Sequence, residues 1–127
     1  MALAVCAKGI DMTTLTVGPT FYPTIGDAMA AAVAGDTIVL GAGYSNETAM
    51  VTKNGITIDG GGSSVGITLH LAVGVTGVHL GGSAPINVLD TVGDTVIAGN
   101  AGSNVITVTG GTDIVDGGSG IDRLIVD

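Results

Sequence analysis

Aromatic residues are nearly missing from this chain: two tyrosines, one phenylalanine and no tryptophan among 127 residues. A bulky globular core would lack its usual filling. Bases are as scarce, with three Lys and Arg against eleven Asp and Glu and a formal net charge of −8. Phosphate backbones are bound through Lys and Arg, so a nucleic-acid partner is excluded. The same deficit argues against adsorption to anionic lipid. One cysteine, Cys6, excludes an internal disulfide. An extracellular domain of this size then needs another staple, and a bound metal is the usual substitute. No run reaches the roughly 18 apolar residues of a membrane span. The opening Met1-Ala2-Leu3-Ala4-Val5-Cys6-Ala7 is too short for a signal core and has no basic lead. Residues 1–12 therefore read as a tail or a first strand.

What is present is glycine, 23 of them, among Val, Ile, Leu and Ala. Each glycine costs about 1 kcal/mol against alanine inside a helix, which disfavours a helical bundle. So much aliphatic residue and so little charge disfavours disorder. The length suits one domain. Short alternating segments, each closed by glycine, read as brief strands: Thr14–Val17, Thr37–Leu40, Gly55–Ile58, Gly66–Leu69 and Gly77–Leu80. Further strands are expected at Ile86–Val88, Thr95–Ile97, Asn104–Ile106, Ile114–Val115 and Arg123–Val126.

In the last third the spacing becomes a repeat. Gly93, Gly102, Gly111 and Gly120 are nine residues apart, followed two places later by Thr95, Asn104, Asp113 and Asp122, and two further on by Ile97, Ile106, Val115 and Leu124. Each nonapeptide supplies a tight turn and a strand with one inward aliphatic residue. Two make one coil, so residues 18 apart stack as parallel strands at about 4.8 Å. One amphipathic helix is expected near residues 24–34. Thr24 would cap it with Asp27 answering, Ile25, Ala28, Met29, Ala32 and Val33 would form its apolar stripe, and Gly35 would end it. It would cover the open end of the first coil.

Two stretches carry a family resemblance. Phe21-Tyr22-Pro23-Thr24-Ile25, the alanine-rich helix, Gly35–Leu40, Ala42-Gly43-Tyr44 with Glu47, and Asn54–Gly60 resemble the first coils of right-handed parallel β-helix proteins of the pectate-lyase type. Gly117-Gly118-Ser119-Gly120-Ile121-Asp122-Arg123-Leu124-Ile125 resembles the hemolysin-type (RTX) calcium-binding nonapeptide at every defined place. The first likeness covers about residues 13–80 and the second 90–127, with one full match and three degenerate neighbours. Together they imply an all-β fold: a right-handed parallel β-helix over residues 13–89 running into a β-roll over 90–127, one continuous solenoid with an N-terminal capping helix.

The RTX resemblance also implies calcium. In that family an ion sits between two turns one coil apart, held by carboxylates and glycine carbonyls. Here the turn Gly117–Asp122 would face Gly99–Asn104, with Asp122 as the main carboxylate, carbonyls at Gly118 and Gly120, and a neutral oxygen from Asn104, beside Gly102. On the opposite side Val108–Asp113, with Gly111, would face Asp90–Thr95, Asp113 being joined by Asp90 or Asp94. Asn104 and Thr95 replace the family's aspartate, and Thr109 and Asn100 its second glycine. One good site at most is expected, with weaker binding.

Other signals are bland. His70 and His79, nine apart, would need Asp59 or Asp90 as a third metal ligand and read instead as solvent-facing imidazoles. A uronan lyase or epimerase needs a base, an acid and cations around a carboxylate. Only Lys8, Lys53 and Arg123 are on offer, far apart, with Tyr44, His70 and Asp59 as unforced nominees, so no catalytic residue is assigned. Gly60-Gly61-Gly62-Ser63-Ser64 lacks the ending of a phosphate loop, and Asn46-Glu47-Thr48 reads as a polar loop or glycosylation acceptor. Threonines recur on strands, as at Thr57, Thr68, Thr107 and Thr109, without a column that holds through successive coils. The reading is a non-catalytic, calcium-binding module of a secreted bacterial-type protein, with metal-linked folding. Its alternatives are part of a polysaccharide-modifying enzyme and an adhesion or ice-binding solenoid. A polysaccharide or cell surface is the expected partner. The repeat reaches Asp127 without a polar cap, which fits either a larger parent chain or end-to-end pairing of copies.

Overall fold

The structure is a computed structural model that describes residues 14–91 and 93–127, so the expected tail at residues 1–12 lies outside the described residues. The alternating segments form β1 (Thr14–Val17), α1 (Ile25–Ala31), β2 (Thr37–Leu40), β3 (Glu47–Val51), β4 (Thr57–Asp59), β5 (Ile67–Leu71) and β6 (Gly77–Gly81). They continue as β7 (Ile86–Asp90), β8 (Val96–Ala98), β9 (Val105–Val108), β10 (Ile114–Asp116) and β11 (Arg123–Val126). Pairing is parallel throughout, in one sheet of order β1-β2-β4-β6-β8-β10 and another of order β11-β9-β7-β5-β3. From β2 onward the chain alternates between the sheets, so each pair of strands makes one coil. The result is a parallel β-solenoid of about six turns with one short helix.

Every second side chain points inward, and the register stacks like on like. Leu15, Ile38, Ile58 and Leu80 form one ladder on the first sheet. Ala49, Leu69, Val88, Ile106 and Leu124 form another on the second. Except at the last coil these side chains are buried. Two facing sheets about 10 Å apart leave room for a single layer of aliphatic residues, which is why the aromatics are dispensable. Tyr22 and Tyr44 only flank this core.

The coil length changes along the chain. Thr14 pairs Thr37 and Thr37 pairs Thr57, offsets of 23 and 20 residues, whereas Val96 pairs Ile114 at 18. This corrects the reading of the threonines. Thr14, Thr37 and Thr57 do stand in register through three coils, and Thr48 stands beside Thr68. A fixed period hides them because the early turns are longer. β3 is a strand that the sequence pattern does not announce: Ala49 and Val51 face inward, but Met50 is exposed and Glu47 opens the segment as a polar residue.

The helix is shorter than residues 24–34. It has Thr24 as N-cap, whose hydroxyl oxygen accepts the Asp27 N–H at 3.1 Å, and it ends where Ala32 turns extended. Val33 is therefore exposed rather than part of the stripe, and Gly35 lies in the following turn rather than at the helix end. The second coil closes both helix termini. The Glu47 carboxylate accepts N–H bonds from Ile25 at 2.7 Å and Gly26 at 3.2 Å, and the Lys53 ammonium donates to the Met29 and Ala32 carbonyls at 3.0 and 2.6 Å. Both charges oppose the helix dipole where its unpaired backbone groups lie. Tyr44 donates its phenolic hydrogen to Glu47. Burial, then that bond to a carboxylate, pushes the Tyr44 phenol up to about 12.

Two outcomes follow. Glu47→Gln and Lys53→Met should each lower the unfolding free energy by about 1–3 kcal/mol, read as a lower urea midpoint at unchanged slope. Because the folded chain holds the Tyr44 proton more tightly than the unfolded chain, its contribution is complete below pH 10 and is lost as pH rises toward about 12. Tyr44→Phe should flatten the fall in stability measured across that interval.

Candidate metal centre in the glycine turns

Two stacks of turns join the last coils, on opposite sides. The loop from β7 to β8 lies under the loop from β9 to β10, and that from β8 to β9 under that from β10 to β11. The pairing expected from an 18-residue period is thus present: Gly117–Asp122 lies against Gly99–Asn104, and Val108–Asp113 against Asp90–Thr95.

The approach of these turns is close enough to require glycine. A Cβ on Gly118 would lie 2.4 Å from the Asn100 carbonyl oxygen, and one on Gly120 would lie 2.7 Å from that of Gly102. Both glycines also have positive φ, 80° and 90°, which L side chains rarely adopt. On the other side Gly111 meets Gly93 in the same way, a Cβ there falling 2.6 Å from the Gly93 oxygen. Asp122 also belongs to this seam, its Oδ2 lying 2.6 Å from where a Gly117 Cβ would stand. Backbone carbonyls of Asn100, Ala101, Gly102 and Gly117 and the Asp122 carboxylate therefore line one inter-turn seam.

The polar column after each glycine forms a ladder of its own. Asp122 Oδ1 accepts the Asn104 N–H at 2.8 Å, and Asp113 Oδ1 accepts the Thr95 N–H at 3.0 Å, each reaching back 18 residues. Asn104, almost wholly buried, accepts the Asn100 N–H at 3.1 Å and donates to the Ile86 carbonyl at 2.8 Å. Its oxygen is thus turned into its own turn. Asp94 accepts the Thr112 N–H at 2.8 Å. Asp90 ends β7 on the inward side, fully buried, and accepts the Thr95 hydroxyl at 2.8 Å, while Asp113 lies 2.9 Å from the same oxygen. A hydroxyl has one hydrogen, so it donates to only one of these two carboxylates at a time.

A carboxylate offers two oxygens and about four lone-pair positions, so one backbone bond leaves capacity for a cation. The donor set fits calcium in kind, being all oxygen, but it is rich in carbonyls and poor in charge. Among the described residues no group of three or more His, Cys, Asp and Glu is placed to hold a metal.

Asn100, Asp59 and Asp116 shape turns in a way that sequence reasoning did not assign to them. Asn100 donates to the Gly81 and Ala84 carbonyls at 3.0 and 2.9 Å and accepts the Gly102 N–H at 2.9 Å. Asp59 and Asp116 accept the N–H of Gly61 and Gly118 in the same two-residue reach. The signal for them was Asx two places before glycine. His70 and His79 lie in different sheets, on β5 and β6, so they do not share a site. Tyr44 is bound to Glu47 and Asp59 to Gly61, and among the described residues no hydrogen bond links either to His70.

Comparisons with protein-family models, with curated proteins and with solved structures found no match.

Gly118→Ala should destabilise the chain by about 1–2 kcal/mol through its positive φ and the blocked approach to Asn100. Asp122→Ala should cost about 1–3 kcal/mol, since it strands the Asn104 N–H. Ser119→Ala, in the same turn, should stay within about 0.5 kcal/mol in the same denaturation experiment.

Proposed function

We propose that this chain is a non-catalytic, calcium-binding β-solenoid module of a secreted bacterial-type protein, with first coils of the pectate-lyase type and last coils of the RTX type. The observation that carries the reading is the seam between Gly99–Asn104 and Gly117–Asp122, where carbonyl oxygens and a carboxylate from successive coils line one gap. A second support is the meeting of Asp90 and Asp113 on one Thr95 hydroxyl, which brings two carboxylates within 2.9 Å of the same oxygen. The net charge of −8 adds a general attraction for cations.

The residues that would hold an ion are Asp122 with the carbonyls around Gly118, Gly120 and Gly102, and on the other side Asp113 with Asp90 or Asp94 beside Gly111. With so few charges per ion, affinity should fall in the range of extracellular modules, a Kd of about 10⁻⁴–10⁻³ M. Such values suit a calcium-rich exterior and would leave the site largely empty inside a cell. Calcium would then add stability to the last coils in proportion to its excess over Kd.

One observation favours a second reading, adhesion through the outer face of the first sheet. The row Thr14, Thr37 and Thr57 leads to His79, beside a groove of about 480 Å³ lined by Thr57, Thr76, Gly77, His79 and Val96. Retention on an insoluble polysaccharide that is lost in Thr57→Lys would favour it.

Calorimetric titration with calcium should show one or two weak sites, and thermal unfolding should move upward with calcium. Asp122→Asn should weaken the stronger site several-fold. No heat and no thermal shift at calcium well above the expected Kd would overturn the calcium reading.

A further inference from the structure

The turn from β3 to β4 holds a dipeptide found nowhere else in the chain. Of the asparagines Asn46, Asn54, Asn87, Asn100 and Asn104, only Asn54 is followed by glycine. Both Asn54 and Gly55 are exposed, and Gly55 has a φ of 70°. Among the described residues no hydrogen bond uses the Gly55 N–H. We propose that Asn54-Gly55 is a site of spontaneous covalent modification. Its asparagine converts to aspartyl and isoaspartyl residues at a rate set by how firmly the neighbouring turns hold it. The proposal is independent of calcium.

The chemistry needs only water as a co-reactant. The Gly55 backbone nitrogen attacks Asn54 Cγ and gives its proton to solvent. The bond from Cγ to Nδ2 breaks, and Nδ2 takes up a proton and leaves as ammonia. One water then opens the resulting five-membered succinimide at either carbonyl. Breaking the new N–Cγ bond leaves an aspartyl residue. Breaking the original peptide bond leaves an isoaspartyl residue, whose backbone runs through Cγ and is longer by one carbon. Asparagine is among the thermolabile residues. Glycine in the next place favours the attack, because no Cβ screens its nitrogen.

The fold holds this reaction back. Asn54 Oδ1 accepts the Thr76 N–H at 2.8 Å and the Thr76 hydroxyl at 3.3 Å, while the Asn54 backbone carbonyl accepts the Gly35 N–H at 3.2 Å. One residue thus ties the turn from α1 to β2 on one side to the turn from β5 to β6 on the other. The side chain must leave Thr76 to swing Cγ onto the Gly55 nitrogen, and closing the ring turns the peptide that Gly35 holds. Local opening of these stacked turns frees both groups at once. The isoaspartyl product does not fit back. Gly55 lies against Gly35, where even a Cβ would fall 3.2 Å from the Gly35 nitrogen, so an extra backbone carbon has no room. It would also displace β4, whose Thr57 is in register with Thr37 and His79.

The test ages the full chain at mildly alkaline pH, folded and in urea, and follows each asparagine by peptide mass spectrometry with isoaspartyl-specific methylation. In urea Asn54 should lose ammonia ahead of the other asparagines, and folding should slow that loss by about tenfold or more. Thr76→Val removes the hydroxyl bond but not the N–H, so in the folded chain it should raise the rate by about twofold while circular dichroism stays unchanged. The purified isoaspartyl chain should unfold at a lower urea midpoint than the unmodified one. Loss at Asn54 no faster than at Asn46 or Asn87 in urea overturns the site. Equal rates folded and in urea, or a folded Thr76→Val chain no faster than its parent, overturn control by the neighbouring turns. An unchanged midpoint overturns the effect on coil register.

Discussion

Parallel register between successive coils is the constraint on which everything else depends. It places aliphatic side chains above aliphatic side chains, as in Ala49, Leu69, Val88, Ile106 and Leu124, and it places turns above turns. Slipping one strand by a single residue would turn its inner face outward and break both. Glycine is the price of the second stacking. Where Gly118 and Gly120 approach the carbonyls of Asn100 and Gly102, any Cβ would force the coils apart.

The two ends of the solenoid solve different problems. At the start, a helix too short to be stable alone is held by a carboxylate at one terminus and an ammonium at the other, both supplied by the second coil. These contacts employ Lys53, one of only three basic residues, in structure rather than in binding an anionic ligand. At the far end the acids gather, and there each stack of two turns sets a charged column member over a neutral one. Thr95 and Asn104 lie beneath Asp113 and Asp122, so each stack closes through a backbone hydrogen bond with one carboxylate in its column.

Much of this was legible in the residue order, for physical reasons that also explain what was not. The columns at Gly93, Gly102, Gly111 and Gly120 reveal the last coils because each turn there has the same length. Earlier coils stack just as well, but Thr14, Thr37 and Thr57 meet across loops of unequal length, and an unequal loop erases a period without disturbing a sheet. β3 escaped because Glu47 and Met50 blur its alternation, and Glu47 serves the helix rather than the loop that its neighbours suggest. In the turns, the stacking partners were readable from spacing. The hydrogen bonds were not: that Asn104 turns inward and that Asn100 reaches the Gly81 and Ala84 carbonyls are matters of side-chain direction, which a column of letters does not carry.

Among the described residues the first coil is clamped by a helix and the glycine-turn coils are not, which gives the solenoid a mechanical polarity. Each coil leans only on its neighbours, so loss of structure can travel as a moving front. A front moving through the glycine-turn coils would meet a hard stop at α1, where Glu47 and Lys53 tie the second coil back onto the first. A steady pull from the C-terminal side would therefore strip the glycine-turn coils before the helix-bearing ones.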